Sequence, residues 1–256
     1  MSAAGINRHP LFKLGKARAK RDKRNFMFAA LLRAPVTVPD EYDFDLKHRG
    51  IPTPMFANDT YGDCVIAGRA HQTLRFELIE QGSNIPITDK DVLREYLKET
   101  GGPDTGLIVL DSLKLWRKVG WPVGTATKKR VYRIKAFTEL NRANHGQVKQ
   151  AVYLDIGIGL GLSLPVSAQD QVQSGKPWDV VSGPSGKPGS WGGHYVFVSG
   201  YTTKGPVCVT WGRKQQMTWA FFDTYCDEAY AMIDAPDAKQ KKALDIAKLN
   251  RMLASH

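Results

Sequence analysis

Cysteine is scarce in this chain: Cys64, Cys208 and Cys226 are the only three in 256 residues. An odd and widely spaced set cannot frame a fold with disulfides, and no CxxC or Cys/His group has zinc-ligand spacing. No metal and no cofactor is therefore expected. Long apolar runs are also missing. The apolar stretch near the N-terminus, "FMFAALLRAP", is short and ends in Arg33 and Pro35, so it reads as neither a signal peptide nor a membrane span. A cytoplasmic setting without membrane contact is expected, with all three thiols reduced. No internal repeat or low-complexity segment occurs. Ser112 and Ser163 lack a GxSxG-type setting, which removes the usual serine hydrolase.

Acidic charge is nearly absent from the two ends. Lys and Arg outnumber Asp and Glu by 36 to 25, a formal +11. Residues 1–35 hold nine basic side chains against Asp22 alone, and residues 236–256 hold five against two. Those segments account for +8 and +3, so the body between them is neutral. A neutral body argues against a nucleic-acid surface across the fold and leaves an anionic partner open for the ends alone. The expected division is a basic N-terminal extension at 1–37, one domain at 38–235 and a basic C-terminal tail at 236–256. The leader is either a separable solubility tail or a docking or cleft-covering segment.

What is present is a core's worth of apolar residues, 42% of the chain, arranged with two different periods. The stretch after Cys64 suits a helix packed on most sides and closed by Gly82. "TDKDVLREYLKET" opens with Thr88 followed three residues later by Asp91, a capping-box signal, and "LIVLDSLKLWRKVG" gives a third helix stopped at Gly120. Beyond it, "RVYRIKAFTEL" reads as strand and "HGQVKQAVYLD" as a short helix. "IGIGLGLSLPV" alternates large residues with Gly or Ser, as a strand with one closely approached face would. "GGHYVFVSGYT", "PVCVTWG" and "MTWAFFD" are expected as further strands. Helices first and antiparallel strands later make an α+β protein.

The stretch "NDTYGDCVIAGRAHQTL", Asn58 to Leu74, carries the chemical question. A cysteine at a helix N-terminus has its thiolate favoured by the helix dipole, which suits a nucleophile; the alternative is a buried structural thiol. Asp63 raises the thiol pKa if it faces the sulfur and caps the helix if it turns to the backbone. His71, nearly two turns along, is too far to assist. His9, His48, His145 and His256 sit in tails or loops, and Cys208 and Cys226 read as buried thiols.

Taken in order, the segments "VPDEYDF", "RGIPTPMFANDTYGDC", "GGHYVFVSGY" and "VTWG" resemble those of a papain-like cysteine peptidase, over about residues 38–233. The resemblance implies a helical half, carrying the nucleophile on its first helix, packed against an antiparallel β half with a cleft between them. It implies Cys64 as nucleophile, His194 as its acid/base partner and Asn58, six residues before the cysteine, as an oxyanion donor. Gly62 matches the glycine two residues before the nucleophile, Gly200 and Tyr201 close the histidine strand, and Trp211 and Gly212 match a Trp-Gly pair. The implied activity is hydrolysis of peptide or other amide bonds, with a peptide or protein as substrate. Val209 stands where the family has its catalytic Asn. The imidazole orienter is then Thr210, a backbone carbonyl or a water, or it is missing. A catalytically silent module for binding or assembly, or a non-peptide amidase or acyltransferase of the same fold, are the competing readings. The cleft geometry expected is a partly exposed Cys64 sulfur within reach of a His194 ring nitrogen.

Overall fold

A computed structural model describes residues 12–125 and 127–254; His9 and His256 lie outside the described residues. Residues 12–27 run extended across the molecule and lead into a 3-10 turn at Phe28–Leu31, whose Phe28 and Leu31 are fully buried. Next come β1 (Tyr42–Asp43) and α1 (Phe44–Lys47).

The helical half consists of α2 (Cys64–Gln81), α3 (Asp89–Thr100) and α4 (Val109–Lys118). α2 is the central post. It is buried from Cys64 through Glu77, polar residues included, and Gly82 ends it in the left-handed conformation at φ 68°. Buried charge on such a helix needs partners. Arg69 reaches Glu99 at 2.8 Å and Glu95 at 3.6 Å, and Arg75 grips Asp45 through two bonds of 2.9 and 2.7 Å. The Thr88–Asp91 capping box at the start of α3 is complete in both directions.

Strands β2 (Trp121–Gly124) and β3 (Lys129–Tyr132) form a separate hairpin. The main sheet is built from β4 (Ala136–Glu139), then, beyond α5 (His145–Tyr153), β5 (Gly157–Leu164). After α6 (Ser167–Gln173) come β6 (Gly192–Thr202), β7 (Gly205–Thr210) and β8 (Arg213–Gln216), then α7 (Trp219–Tyr225) and β9 (Cys226–Ile233). Its order is β4-β9-β5-β6-β7-β8, antiparallel throughout, with β1 added to β6. β6 is the spine: residues 192–198 pair with β5, and residues 197–202 pair with β7. Two helices, α8 (Ala238–Ala243) and α9 (Ile246–Ala254), close the chain.

Two apolar cores result. One lies among α2, α3 and α4 and takes Phe137, Tyr195, Tyr230 and Met232 from the sheet. The other lies on the opposite face of the sheet, under α5, α7 and the terminal segments.

Three expectations are corrected. "MTWAFFD" is a helix, because Thr218 caps it by accepting the Phe221 N–H, and Phe221, Phe222 and Tyr225 form its buried side. The C-terminal segment is not a loose tail: Leu244 and Leu249 are fully buried, and Asp245 N–H bonds Leu31 O at 2.8 Å. Nor is the leader separable. It buries Phe12, Lys16, Phe28 and Leu31, and ion-pairs Lys20 with Asp111 and Asp22 with Lys114. Lys16 and Lys20 find carboxylates on the domain that composition alone could not place. Among the described residues, no helix is long and apolar enough to cross a membrane.

Candidate active site

Cys64 is the first residue of α2, and its amide is one of those a helix start leaves without an intrahelical acceptor. The loop before it is tightly specified. Phe56 and Ala57 take positive φ of 56° and 63°, and Gly62 N–H is fixed by Asp104 Oδ1 at 3.0 Å. β6 brings the second element: the Tyr195 N–H donates to Cys64 Sγ at 3.4 Å. The sulfur therefore lies against the backbone next to His194.

His194 is fully buried, and its orientation is set from two sides. Trp211 stacks on the imidazole at 4.1 Å with 12° between planes, and Thr210 Oγ1 lies 2.7 Å from Nε2. Trp211 holds this stack with φ at +44°, an uncommon backbone state for a bulky residue. Nδ1 is buried with no hydrogen-bond partner, and no hydrogen bond joins either ring nitrogen to the thiol. Val209, one residue earlier, faces away from this role; it is buried in β7, opposite Phe197 and Lys214.

Asn58 is buried beneath the loop. Its Nδ2 donates to Tyr61 O at 3.0 Å and, at 3.5 Å, to Lys13 O. The Lys13 carbonyl also accepts the Trp211 indole N–H at 3.1 Å. The amide placed six residues before the cysteine thus faces a carbonyl oxygen, and that oxygen belongs to the leader.

The leader is the largest difference from the expected site. Lys13 N–H bonds Asn58 O at 3.0 Å, and Lys16 N–H bonds Gly193 O at 3.0 Å. The Leu107 backbone accepts from Ala17 at 2.9 Å and donates to Gly15 O at 2.8 Å. Gly15 threads between Gly62 and Gly106, so close that a Cβ there would lie 2.6 Å from Gly62 Cα and inside its carbonyl group. The Gly15 backbone lies near enough to the Cys64 thiol to work slightly against the larger effect of burial on it.

The partly exposed thiol expected from the sequence is accordingly not observed: Cys64 is 1% exposed. The helix-terminus effect, worth up to about 1 kcal/mol at exposed sites, loses to desolvation. Burial, reinforced by the Asp63 carboxylate, pushes the thiol up to about 12. Asp63 stands at the N-cap position without making the side-chain cap bond. Its own burial pushes it up to about 8. His194 moves the opposite way, down to about 3, through burial and then the nearby Lys16 charge. Thiol and imidazole are both neutral in this arrangement.

No family model matches the chain, and no curated protein matches it significantly. Solved structures do. Xylellain, a cysteine protease from Xylella fastidiosa, superposes with a TM-score of 0.67 at 14% identity, over 91% of this chain and 100% of that one. Procathepsin B from Trypanosoma congolense gives 0.60 at 12% identity, over 89% and 87%. A cysteine protease of Carica candamarcensis, solved with E-64, gives 0.56 at 13% identity over 77% and 99%. The fold is papain-like. It is a divergent member of that fold class, with the helix bearing Cys64 packed on the antiparallel half as the resemblance implied.

The other histidines and thiols of this papain-like chain have separate structural settings. His71 is buried against Phe56 and driven well below its ordinary range by burial and Arg75. His48 stacks on Phe44, and His145 stacks on Trp219 while contacting Asp223 at 2.6 Å. Cys208 and Cys226 are free and buried, donating to Gln215 O and Glu228 O. Three carboxylates, on Glu77, Glu80 and Asp234, come together at the end of α2, with Arg130 3.8 Å from Glu77; none borders the thiol in sequence or ladder. Sequence reasoning missed Gly15 and Lys16 as site residues. The signal was present in "LFKLGKAR": apolar Phe12 and Leu14 alternate with basic residues, and a glycine follows. The basic run disguised an extended, half-buried strand.

Proposed function

We propose that the protein is a thiol hydrolase of peptide or other amide bonds, latent in the closed state because residues 13–17 lie across its own nucleophile. The observation that carries the reading is the convergence on one sulfur of a helix start, the β6 backbone beside His194, and a backbone segment in extended conformation. That is the arrangement of a cleft with a peptide in it. The Gly15 carbonyl is not held for attack, because its oxygen accepts the Leu107 N–H at 2.8 Å and not the Cys64 N–H or the Asn58 amide.

With the leader displaced, the proposed roles are these. Thr210 accepts the His194 Nε2–H, which leaves the Nδ1 lone pair to take the Cys64 proton. The thiolate adds to the substrate carbonyl carbon, and the oxyanion is held by the Cys64 backbone N–H and the Asn58 amide. The C–N bond breaks as the imidazolium returns its proton to the leaving amine. Water, deprotonated by Nδ1, then cleaves the thioester and restores the thiol. Trp211 keeps the ring in plane throughout.

A silent binding module is the second reading, favoured by the buried, neutral thiol and by the missing Cys64–His194 hydrogen bond. Peptide hydrolysis by the full chain carrying Gly15→Ala distinguishes the two. Turnover that disappears on adding Cys64→Ser or His194→Ala supports the hydrolase. A thiol that opens to solvent yet turns over nothing supports the module.

A further inference from the structure

One residue along from Gly15, the leader turns a charged side chain inward. Lys16 has a side chain 1% exposed, and its Nζ lies 3.0 Å from Asp227 Oδ2, 3.4 Å from Glu228 Oε1 and 3.2 Å from Ala17 O. Both carboxylates come from β9 and belong to the domain. Asp227 is steadied by Ser163 Oγ at 2.8 Å, and Glu228 is 6% exposed. The wall between them is cleared by Gly161, the ladder partner of Glu228. A Cβ there would stand 2.8 Å from Glu228 Oε1 and closer still to Lys16 Cε. The pocket is therefore shaped for a long, thin side chain ending in a cation.

We propose that Asp227, Glu228 and Gly161 form a side-chain pocket selecting a lysine or arginine in the substrate, with Lys16 as its built-in occupant. This rests on the hydrolase reading above. Three observations argue for recognition rather than a simple latch. The groove that holds the Lys16 backbone, through Gly193 and Leu107, is the one that crosses the thiol, so any extended peptide bound there offers a side chain to the same place. Two acidic groups face one cation, Asp227 at 3.0 Å and Glu228 at 3.4 Å, so a neutral side chain in its place would leave both without a counter-charge. And a buried lysine is a weak clamp, since desolvation takes back most of its Coulombic gain; what such a pair supplies is discrimination against neutral side chains. With the leader gone, the two carboxylates are left facing each other, and burial already holds Glu228 near 7.

The test uses full-length Lys16→Ala, which empties the pocket, and Lys16→Met, which fills it without charge. At pH 8, n-propylammonium should raise the melting temperature of Lys16→Ala while 1-propanol does not. The effect should vanish in Lys16→Met and when Glu228→Gln and Asp227→Asn are added. On the same Lys16→Ala protein with Gly15→Ala added to lift the leader from the thiol, a peptidyl chloromethyl ketone carrying lysine should label Cys64 at least about 10-fold faster than its leucine analogue, and this preference should collapse with the two carboxylate substitutions. Equal labelling by both reagents overturns the pocket and leaves the thiol hydrolase standing. An ammonium response with no labelling by either reagent overturns the hydrolase reading and with it the substrate role, leaving a seat for Lys16 alone. Should Lys16→Ala not fold, Gly15→Ala, which lifts Lys16 out with the rest of the leader, carries the labelling comparison. There, a lysine reagent no faster than the leucine one overturns the proposal.

Discussion

Gly15→Ala is the smallest change that should open this protein. The added methyl group would sit 2.6 Å from Gly62 Cα and overlap the Gly62 carbonyl. Both obstacles are backbone, so no side-chain rotation relieves them. The loop cannot yield either, because Gly62 N–H is tied to Asp104 and the next residue but one starts α2. The leader must lift instead, and it gives up the bonds of Lys13 to Asn58, Lys16 to Gly193, and Gly15 and Ala17 to Leu107. Four backbone bonds at about 0.5–1.5 kcal/mol each put the loss at roughly 2–6 kcal/mol, enough to populate the open state substantially. The thiol then leaves the environment that pushes it up to about 12. A return to about 8.5 multiplies the thiolate fraction at pH 7 by roughly 3 × 10³. Intrinsic nucleophilicity falls with pKa at a Brønsted slope of about 0.4–0.5, so the net gain in alkylation rate is closer to roughly 80-fold before any steric gain. Iodoacetamide labelling of Cys64, followed by mass at several pH values, measures it; Cys208 and Cys226 serve as buried internal controls. A Gly15→Ala protein that is folded and labels Cys64 no faster than the parent refutes the claim that the leader seals the thiol.

Thr210→Val, in the Gly15→Ala protein, removes the partner of His194 Nε2. It should cut turnover about 10–100-fold and flatten the acid limb of the pH profile, while Thr210→Ser restores both. Val209→Asn should give no gain, since its side chain would be buried in β7 away from an imidazole nitrogen that Thr210 already holds. Arg69→Met strands Glu99 in the core and leaves Glu95 to Lys98 alone. A loss of about 3–5 kcal/mol in denaturant unfolding is expected, and a change under 1 kcal/mol would contradict the buried network. Asp234 is raised to about 7 by burial and by Glu80 and Glu77. The folded state thus holds this proton more tightly than the unfolded chain does, and the group withdraws stability as pH rises from about 4 to 7. Asp234→Asn should therefore raise the melting temperature by a few degrees at pH 8 and leave it unchanged at pH 4.

The helical half was readable because its signals are local. The Thr88–Asp91 box, the closing Gly82 and the apolar surround of α2 are each decided within a few residues. The β half was readable in its strands but not in the helix at "MTWAFFD". There the aromatic run matches a strand, and only the Thr218 cap, which needs the backbone geometry to be seen, tips it to helix. Motif order singled out Cys64 and His194 as candidates, and the short set of candidate partners for the imidazole included Thr210, which lies 2.7 Å from Nε2. What could not be read was the state of the site. A charge run such as residues 13–24 is ordinarily a solvated face. Most of its charges are exposed here too, but Lys16 is buried against Asp227 and Glu228, which lie more than 200 residues away and whose approach only the folded sheet defines.

The perturbed groups around the thiol have one physical origin, and this bears on how the site could switch. Cys64 is raised first by burial, His194 is lowered by burial and then by Lys16, and Glu228 is raised by burial. In the closed state every shift favours the neutral form, so thiol and imidazole have no reason to exchange a proton. Withdrawing residues 13–17 admits water to Cys64 and His194 together and removes the Lys16 cation from beside the imidazole. The thiol then falls while the imidazole rises, and the two shifts converge on the charged pair that attack requires. On the function and pocket proposed above, the same movement would uncover two carboxylates that a basic side chain can satisfy, so the segment across the thiol and the residue between the carboxylates would leave as one piece. Latency and selectivity would then be coupled through the single bond between Gly15 and Lys16: one lies across the sulfur, the other meets the charge.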